Sequence, residues 1–346
     1  MLKDLIKIFE RATSKKVNII IPSIQLSSEL IFCLTKLNNQ TYRNFFVTIV
    51  LDFDNKIKTP KLKYKLNVLI SGKKNMSFKR NLAAKKFQSN IVAFLDSDAY
   101  PNKNWLKIAS DYFLKEKNKI IGGPSIPFPR QSYTEMLCHY AKRSFYVTGY
   151  LNFRKYKAKS RYCDWLESCN MLMHRSLYLK HGGMNVKKYL GEDKELIARM
   201  KKKDNSIKVF FNSKLFIYHK ERNIKKFLLQ RIVFGTDLFN IIKFGNEIKS
   251  FQPILPLTVF LFFLMVTLYK TDSGSNFIFA IFFFLSIQLT IYADIKKYLK
   301  EFKKIILTIC VINLANIAYV FGSILAILNL KNLISRKFYL KSRKNK

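Results

Sequence analysis

With 346 residues the chain has room for one large or two modest domains, and its formal charge of +40, from 62 basic and 22 acidic side chains, calls for an anionic partner. Nucleic acid and an anionic membrane surface both satisfy that demand. The 49% apolar content is concentrated after residue 250, and no nucleic-acid recognition motif accompanies the charge, so the composition favours the membrane. Five cysteines, an odd count without any C-x-x-C spacing, argue against a zinc site or a disulfide framework and are expected to be reduced structural thiols.

In chain order, Leu2, Leu5, Ile6 and Phe9 fall on one helical face. The segment lacks the uninterrupted apolar core of a secretory signal. It reads either as a helix lying on a membrane surface or as one packed on its own domain. Residues 17–21 are apolar and β-branched and end at Pro22-Ser23, the pattern of a first strand. Residues 29–37 place Leu30, Cys33, Leu34 and Leu37 at helical spacing. A second strand over 45–51 ends at Asp52-Phe53-Asp54, and 68–70 is a short third. The spacing predicts a helix over 75–86. It leads into 91–95, five apolar residues that read as a strand buried on both faces and run into Asp96-Ser97-Asp98.

Strand and helix therefore alternate through the first hundred residues, which predicts a mostly parallel sheet with right-handed crossovers. Ligands of such sheets bind outside the carboxyl ends of the strands. Asp52, Asp96 and Asp98 project there, and two carboxylates so placed can hold a hard cation through oxygen. Each also has a plainer reading as a solvated turn.

Beyond this, 120–121 is a short strand before Gly122-Gly123, and 131–162 is aromatic and basic without clean period. Residues 170–173 are short and apolar, Gly182-Gly183 mark a turn, and Gly191-Glu192-Asp193 opens a helix. Strands are predicted over 209–211 and 215–218, with His219 at the end of the second. This first region is assigned to 1–226. Residues 227–250 suit an amphipathic interfacial helix.

Three apolar stretches follow, 251–269, 277–293 and 305–330, each near the roughly 20 residues that span a bilayer. The loop 270–276 holds one Lys and 294–304 holds five, which puts the second loop, and with it the N-terminal region, on the cytoplasmic side. The tail 331–346 carries seven basic residues and should also be cytoplasmic, whereas three full spans would place it outside. The expectation that resolves this is a re-entrant hairpin in 305–330, broken between Asn313 and Gly322.

The order of motifs carries a resemblance. It runs Ile20-Ile21-Pro22, Gln40-Thr41-Tyr42, Lys79-Arg80-Asn81-Leu82-Ala83 and Phe94-Leu95-Asp96-Ser97-Asp98-Ala99-Tyr100-Pro101. Asn170-Met171-Leu172-Met173-His174-Arg175, Gly182-Gly183-Met184-Asn185 and Gly191-Glu192-Asp193-Lys194-Glu195-Leu196 follow. Over about 16–235 the chain resembles the GT-A-fold family 2 glycosyltransferases, and its apolar third resembles that of bacterial membrane-anchored members.

The resemblance implies an α/β GT-A nucleotide-diphospho-sugar transferase fold with C-terminal transmembrane helices. It implies transfer of a sugar from a nucleoside-diphosphate sugar to a lipid-linked saccharide or cell-surface glycan precursor. The setting it implies is a multi-pass bacterial inner-membrane protein with a cytoplasmic catalytic domain in contact with membrane lipid. Pro22, Asp52 or Asp54, Arg80 and Asp96 would contact the donor. Asp98, Asp96 and His219 would hold Mg²⁺ or Mn²⁺. Asp193 would be the general base, with Glu192 the competing choice, giving inversion at the sugar. Ser23-Ile24 and Asp52-Phe53-Asp54-Asn55 depart from the family's usual small-polar pair and D-D-G-S. The processive members' Q-x-x-R-W is reduced to Gln230-Arg231, so single sugar addition is expected and these two residues are left to lipid head groups or the interface. Two alternatives stand beside this reading: a polyprenyl-phosphate glycosyltransferase, and a non-catalytic membrane-tethered binding module of the same fold.

Overall fold

The computed structural model describes residues 15–54, 59–115, 119–188, 190–237, 254–268, 273–328 and 330. The expected N-terminal surface helix, the later part of the interfacial segment 227–250 and the basic tail lie outside them.

The apolar runs form the strands expected of them. β1 (Val17–Pro22), β2 (Phe45–Leu51) and β4 (Ile91–Leu95) are buried along their whole lengths. That is why they read as continuous apolar runs rather than alternating ones. β3 (Lys65–Ile70) is longer than the predicted 68–70 and is half exposed at the sheet edge, so its polar residues concealed its start. With β5 (Ala99–Pro101), β6 (Lys119–Gly122), β7 (Ser125–Pro127), β8 (Arg161–Tyr162), β9 (Asn170–His174), β10 (Lys208–Phe211) and β11 (Ile217–His219), two sheets form. The larger is eight-stranded, in the order β3-β2-β1-β4-β9-β6-β10-β8, and the smaller is β5-β11-β7.

β1 runs parallel to β2 and β4, and β10 parallel to β6; β9 runs against both β4 and β6. The sheet is therefore mixed, with β9 reversed at its centre and β8 antiparallel to β10 at its edge. Helices α1 (Ser28–Leu37), α2 (Met76–Lys86) and α3 (Trp105–Lys115) flank it. α1 and α2 start at side-chain caps: Ser27 Oγ accepts from Leu30 N at 3.3 Å and Asn75 Oδ1 from Phe78 N at 2.9 Å. The core beneath α1 and α3 joins Leu30, Leu34, Trp105 and Phe113 to the inward residues of β1, β2 and β4.

The chain divides into two compact units, Met1–Ile126 with Tyr156–Lys220, and Pro127–Lys155 with Glu221–Lys346. In the second, α4 (Tyr133–Arg143) opens with a capping box between Ser132 and Glu135. After the short helical turns of α5 (Phe145–Thr148) come α6 (Arg175–Lys180) and α7 (Glu192–Lys203) of the first unit. The second unit resumes with α8 (Ile224–Thr236), α9 (Leu255–Leu268), α10 (Ser273–Lys296) and α11 (Phe302–Ile327). α8 crosses α11 with backbones in contact at Gly235 and Gly322; a Cβ on Gly235 would collide with the Tyr319 carbonyl, and one on Gly322 with that of Ile232.

Two helices, Ser275–Lys296 and Phe302–Ile327, are long and apolar enough to cross a membrane by length and composition. α10 is not a buried core helix: Phe277, Phe282 and Leu289 on it are about two-thirds exposed at 67%, 66% and 68%. α11 corrects one expectation. It runs unbroken for 26 residues through Asn313 and Gly322, so no hairpin forms there. Asn313 Nδ2 donates to Gln288 Oε1 of α10 at 2.8 Å, and Gly322 is occupied in close helix packing, so neither residue interrupts the helix.

Candidate active site

The D-x-D turn leaves β4 and enters β5, and antiparallel pairing of β5 with β11 sets His219 opposite Ala99. Lys220 N also donates to the Asp98 carbonyl at 3.0 Å, and Lys220 Nζ is tied to Glu29 Oε1 of α1 at 3.1 Å. This pairing carries a residue 120 positions on in sequence to the carboxyl end of β4. His219 Nε2 stands 3.6 Å from Asp98 Oδ1 and 3.7 Å from Asp96 Oδ2. Its Nδ1 lies 2.9 Å from the Lys220 carbonyl, and because a carbonyl only accepts, Nδ1 carries the proton. With Nδ1 so occupied, Nε2 is the ring nitrogen that faces the two carboxylates. Three acceptors converging in this way fit a divalent cation, with Asp98, Asp96 and His219 as its holders.

Behind this cluster, three consecutive residues of α2 make three separate connections. Lys79 is fully buried; its Nζ lies 2.6 Å from Asp52 Oδ1 and also donates to the Ser23 carbonyl, so it joins the ends of β1 and β2. Arg80 is 3% exposed and bridges two carboxylates, Nη2 to Asp96 Oδ1 and Nη1 to Glu192 Oε1, both at 3.0 Å. Burial opposes its charge, but Asp96, Glu192 and Asp193 together raise its pKa above the ordinary value. Asn81 fixes the Gly182-Gly183 turn: Oδ1 accepts from Met184 N at 2.9 Å and Nδ2 donates to Met184 O at 2.7 Å. Gly182 and Gly183 have φ of 76° and 70°, the left-handed region that a glycine enters without strain.

That turn delivers the chain to Gly191, again left-handed with φ of 64°, and to the first turn of α7. Asp193 is buried there. Its Oδ2 accepts from Ser168 N at 2.9 Å and its Oδ1 from Lys194 N at 2.8 Å. Burial, and then the adjacent Glu192 carboxylate, push the Asp193 carboxyl up to about 7, the two backbone donors notwithstanding. Glu192 is instead committed to Arg80.

The sequence-predicted residues thus fall into groups. Asp96, Asp98 and His219 converge, Arg80 joins Asp96 to Glu192, and Asp193 lies beside Glu192. Asp52 is paired with Lys79, a residue for which sequence reasoning gave no role. Asp54 is exposed just beyond β2, and Pro22 closes β1 opposite Val50. The signal for Lys79 was present: the buried side of α2 carries Ser77, Lys79, Arg80, Ala83 and Ala84, small or cationic residues where a core helix would carry large apolar ones. Gln230 and Arg231 belong to α8 in the second unit. Gln230 Oε1 accepts from Arg222 Nη1 at 3.3 Å. Arg231 is buried there, against the expectation of a residue facing lipid head groups. Its Nη1 donates to the Val147 carbonyl at 3.2 Å and its guanidinium lies 4.8 Å from the Tyr319 ring centre, so apolar packing and a cation–π contact occupy it.

Residues 18–181 match the sequence profile of glycosyl transferase family 2. No curated protein matches the chain. Among solved structures, the mannosyltransferase PcManGT from Pyrobaculum calidifontis, in complex with GDP-Man and Mn²⁺, aligns over 91% of this chain and 88% of its own. The TM-score is 0.58 at 12% identity, a likeness of fold. GalNAc-T7 with UDP, GalNAc and Mn²⁺ aligns over 60% of this chain and 44% of its own length, with a TM-score of 0.44 at 13% identity. The first unit has the GT-A fold.

Proposed function

We propose, from the premise that this chain is a glycosyltransferase with a family 2 domain at residues 18–181, that it moves a sugar from a nucleoside-diphosphate sugar to a hydroxyl of a lipid-linked saccharide or cell-surface glycan precursor, with inversion. The observation that carries the choice of a hydroxyl acceptor is Asp193: a buried carboxyl brought to about 7. A general base works best with a pKa near the operating pH, and Asp193 has that property without a cation paired to it. Two backbone amides fix its orientation.

On the donor side, Asp98, Asp96 and His219 would hold a divalent cation, which when bound would offset the charge on the departing diphosphate. Asp52, oriented by Lys79, contacts the nucleotide base, with Asp54 beside it. Arg80 orients Asp96 towards the donor and Glu192 away from the acceptor proton. Asp193 takes that proton as the acceptor oxygen attacks the sugar from the side opposite the diphosphate; the nucleoside diphosphate leaves and the new bond forms inverted. The apolar exposed face of α10 and the loop charge pattern support a multi-pass protein of a bacterial inner membrane, with this site on its cytoplasmic side and membrane lipid around α10 and α11.

The test uses the full-length protein in detergent or native membranes, a panel of nucleotide sugars, Mn²⁺ or Mg²⁺, and lipid extract as acceptor source. Release of nucleoside diphosphate from one donor, increased by the lipid extract, is expected. No release from any donor under either condition overturns the proposal in favour of a non-catalytic module.

A further inference from the structure

Three side chains of different chemistry meet at the carboxyl end of β4. The Cys169 thiol, an Asp96 carboxylate oxygen and a His219 ring nitrogen all lie within 4.8 Å of one another. Cys169 is in no disulfide and sits just before β9, the reversed strand paired with β4, so the strand pairing holds the thiol beside Asp96. Oxygen ligands alone suit Mg²⁺ or Mn²⁺, but a thiolate beside an imidazole and a carboxylate is a donor set for a softer ion. Around a tetrahedral zinc with bonds of about 2.0–2.3 Å, ligand atoms stand roughly 3.3–3.8 Å apart. A contraction of about 1 Å from the spacing found here, within reach of side-chain rotation, closes the site.

We propose that Asp96, Cys169 and His219 form a capture site for a thiophilic divalent cation such as Zn²⁺ or Cd²⁺, which competes with the activating ion for His219. The inference rests on the reading that Asp96 and His219 face the cation of the donor site. Binding exchanges a proton for a metal bond: the thiol S–H gives its proton to solvent and the sulfur lone pair bonds the cation. His219 binds through Nε2, giving up any proton held there to solvent, while Nδ1 stays bonded to the Lys220 carbonyl. The hard ion uses Asp98, at 3.6 Å from His219 Nε2, in place of the thiol. The two modes share His219 and so exclude each other. A tetrahedral ion held by three protein atoms leaves one position for a diphosphate oxygen, fewer than the several that Mg²⁺ or Mn²⁺ offers. The expected result is a site blocked by Zn²⁺ rather than served by it.

The experiment titrates Cd²⁺ into the purified full-length protein and follows the ultraviolet thiolate-to-metal charge-transfer band, with no donor sugar present. The wild type should develop the band and Mn²⁺ should suppress it. Cys169→Ser should bind Cd²⁺ at least tenfold more weakly without the band, while Cys138→Ser, altered at a buried thiol in α4 of the second unit, should retain it. Asp96→Asn and His219→Gln keep the thiol and should each weaken binding at least tenfold, which tests the site even if Cys169→Ser fails to fold. A wild type without the band, or a band unchanged in Cys169→Ser or in both co-ligand variants, overturns the proposal. Release of nucleoside diphosphate with Mn²⁺ in a protein that shows no band removes the thiol site alone. A band with its variant pattern in a protein that releases nothing supports the thiol site and removes only the transferase reading.

Discussion

Asp193→Asn separates the chemistry of the carboxyl from its structural role. The wild-type group is moved from an ordinary 3.8 to about 7, by burial first and by Glu192 second. At about 1.4 kcal/mol per pH unit, that displacement is worth about 4 kcal/mol. The sign follows from the raised folded value. The contribution to stability is fully present below the unfolded value near 4 and is lost as pH rises through 7, because the folded state then holds a desolvated charge. Asparagine removes that charge at every pH. It also loses one acceptor, since its amide nitrogen must face either Ser168 N or Lys194 N, which takes back about 1–3 kcal/mol.

The two effects cross. At pH 5 the wild type should be at least as stable as Asp193→Asn, and at pH 8 the variant should be the more stable. Turnover moves the opposite way, falling by about 10²–10⁴ with donor binding retained. Wild-type turnover should itself rise about tenfold per pH unit up to pH 7 and then level. The assays are thermal unfolding of the detergent-solubilised protein from pH 5 to 8, followed by intrinsic fluorescence, and nucleoside diphosphate release over the same range. Stability curves that stay parallel would refute the pKa argument. Turnover left at the wild-type level would refute the base assignment and point to a phosphate acceptor, which has no proton to remove.

Lys79→Met leaves Asp52 partly buried without its cation and should destabilise the first unit by about 3–5 kcal/mol in denaturant unfolding. Arg80→Lys cannot span Asp96 and Glu192 together; turnover should drop at least tenfold, and the rising limb of the pH profile should shift upward as Glu192, less neutralised, acts on Asp193. Chelation should abolish nucleoside diphosphate release and added Mn²⁺ restore it, with His219→Ala requiring tenfold or more Mn²⁺ for half-maximal rate. Gly235→Leu places a side chain against the Tyr319 carbonyl and should give aggregated protein on size-exclusion chromatography, whereas Gly72→Ala, which meets no neighbour and bears only about 1–2 kcal/mol of left-handed backbone strain at φ 68°, should not.

The fold was legible where burial is two-sided. β1, β2 and β4 are apolar throughout because both faces are covered, and their predicted limits agree with the observed ones to within a residue. β3 was partly missed because an edge strand with exposed residues carries no such signal. The reversal of β9 was not visible, since an apolar run does not record direction and Asn170–His174 is as buried as its parallel neighbours. In the site, the identities of the carboxylates were legible from motif order, but their partners were not. Nothing in spacing joins Lys79 to Asp52, or sets Cys169 beside His219; the first contact comes from α2 lying against the sheet and the second from strand pairing across long sequence separations. The unbroken course of α11 was misjudged because Asn313 and Gly322 look like helix breakers until another helix occupies them: Asn313 bonds to Gln288, and Gly322 admits the backbone of α8.

The division of work among the carboxylates follows from their surroundings rather than from their order in the chain. Glu192 and Asp193 are neighbours of the same charge, so a bare sequence offers no way to choose between them. Arg80 makes the choice. Its guanidinium lies 3.0 Å from Glu192 and engages that carboxylate in an ion pair. Asp193 is buried, accepts from two neutral amides and is repelled by Glu192, so it is the one whose affinity for a proton rises to about 7. The other arm of the same guanidinium holds Asp96, which faces His219. On the proposed reading, one buried cation holds Asp96 on the donor side and, by occupying Glu192, leaves the proton-accepting role to Asp193. Lysine, a point charge without the fork, has no geometry that does both.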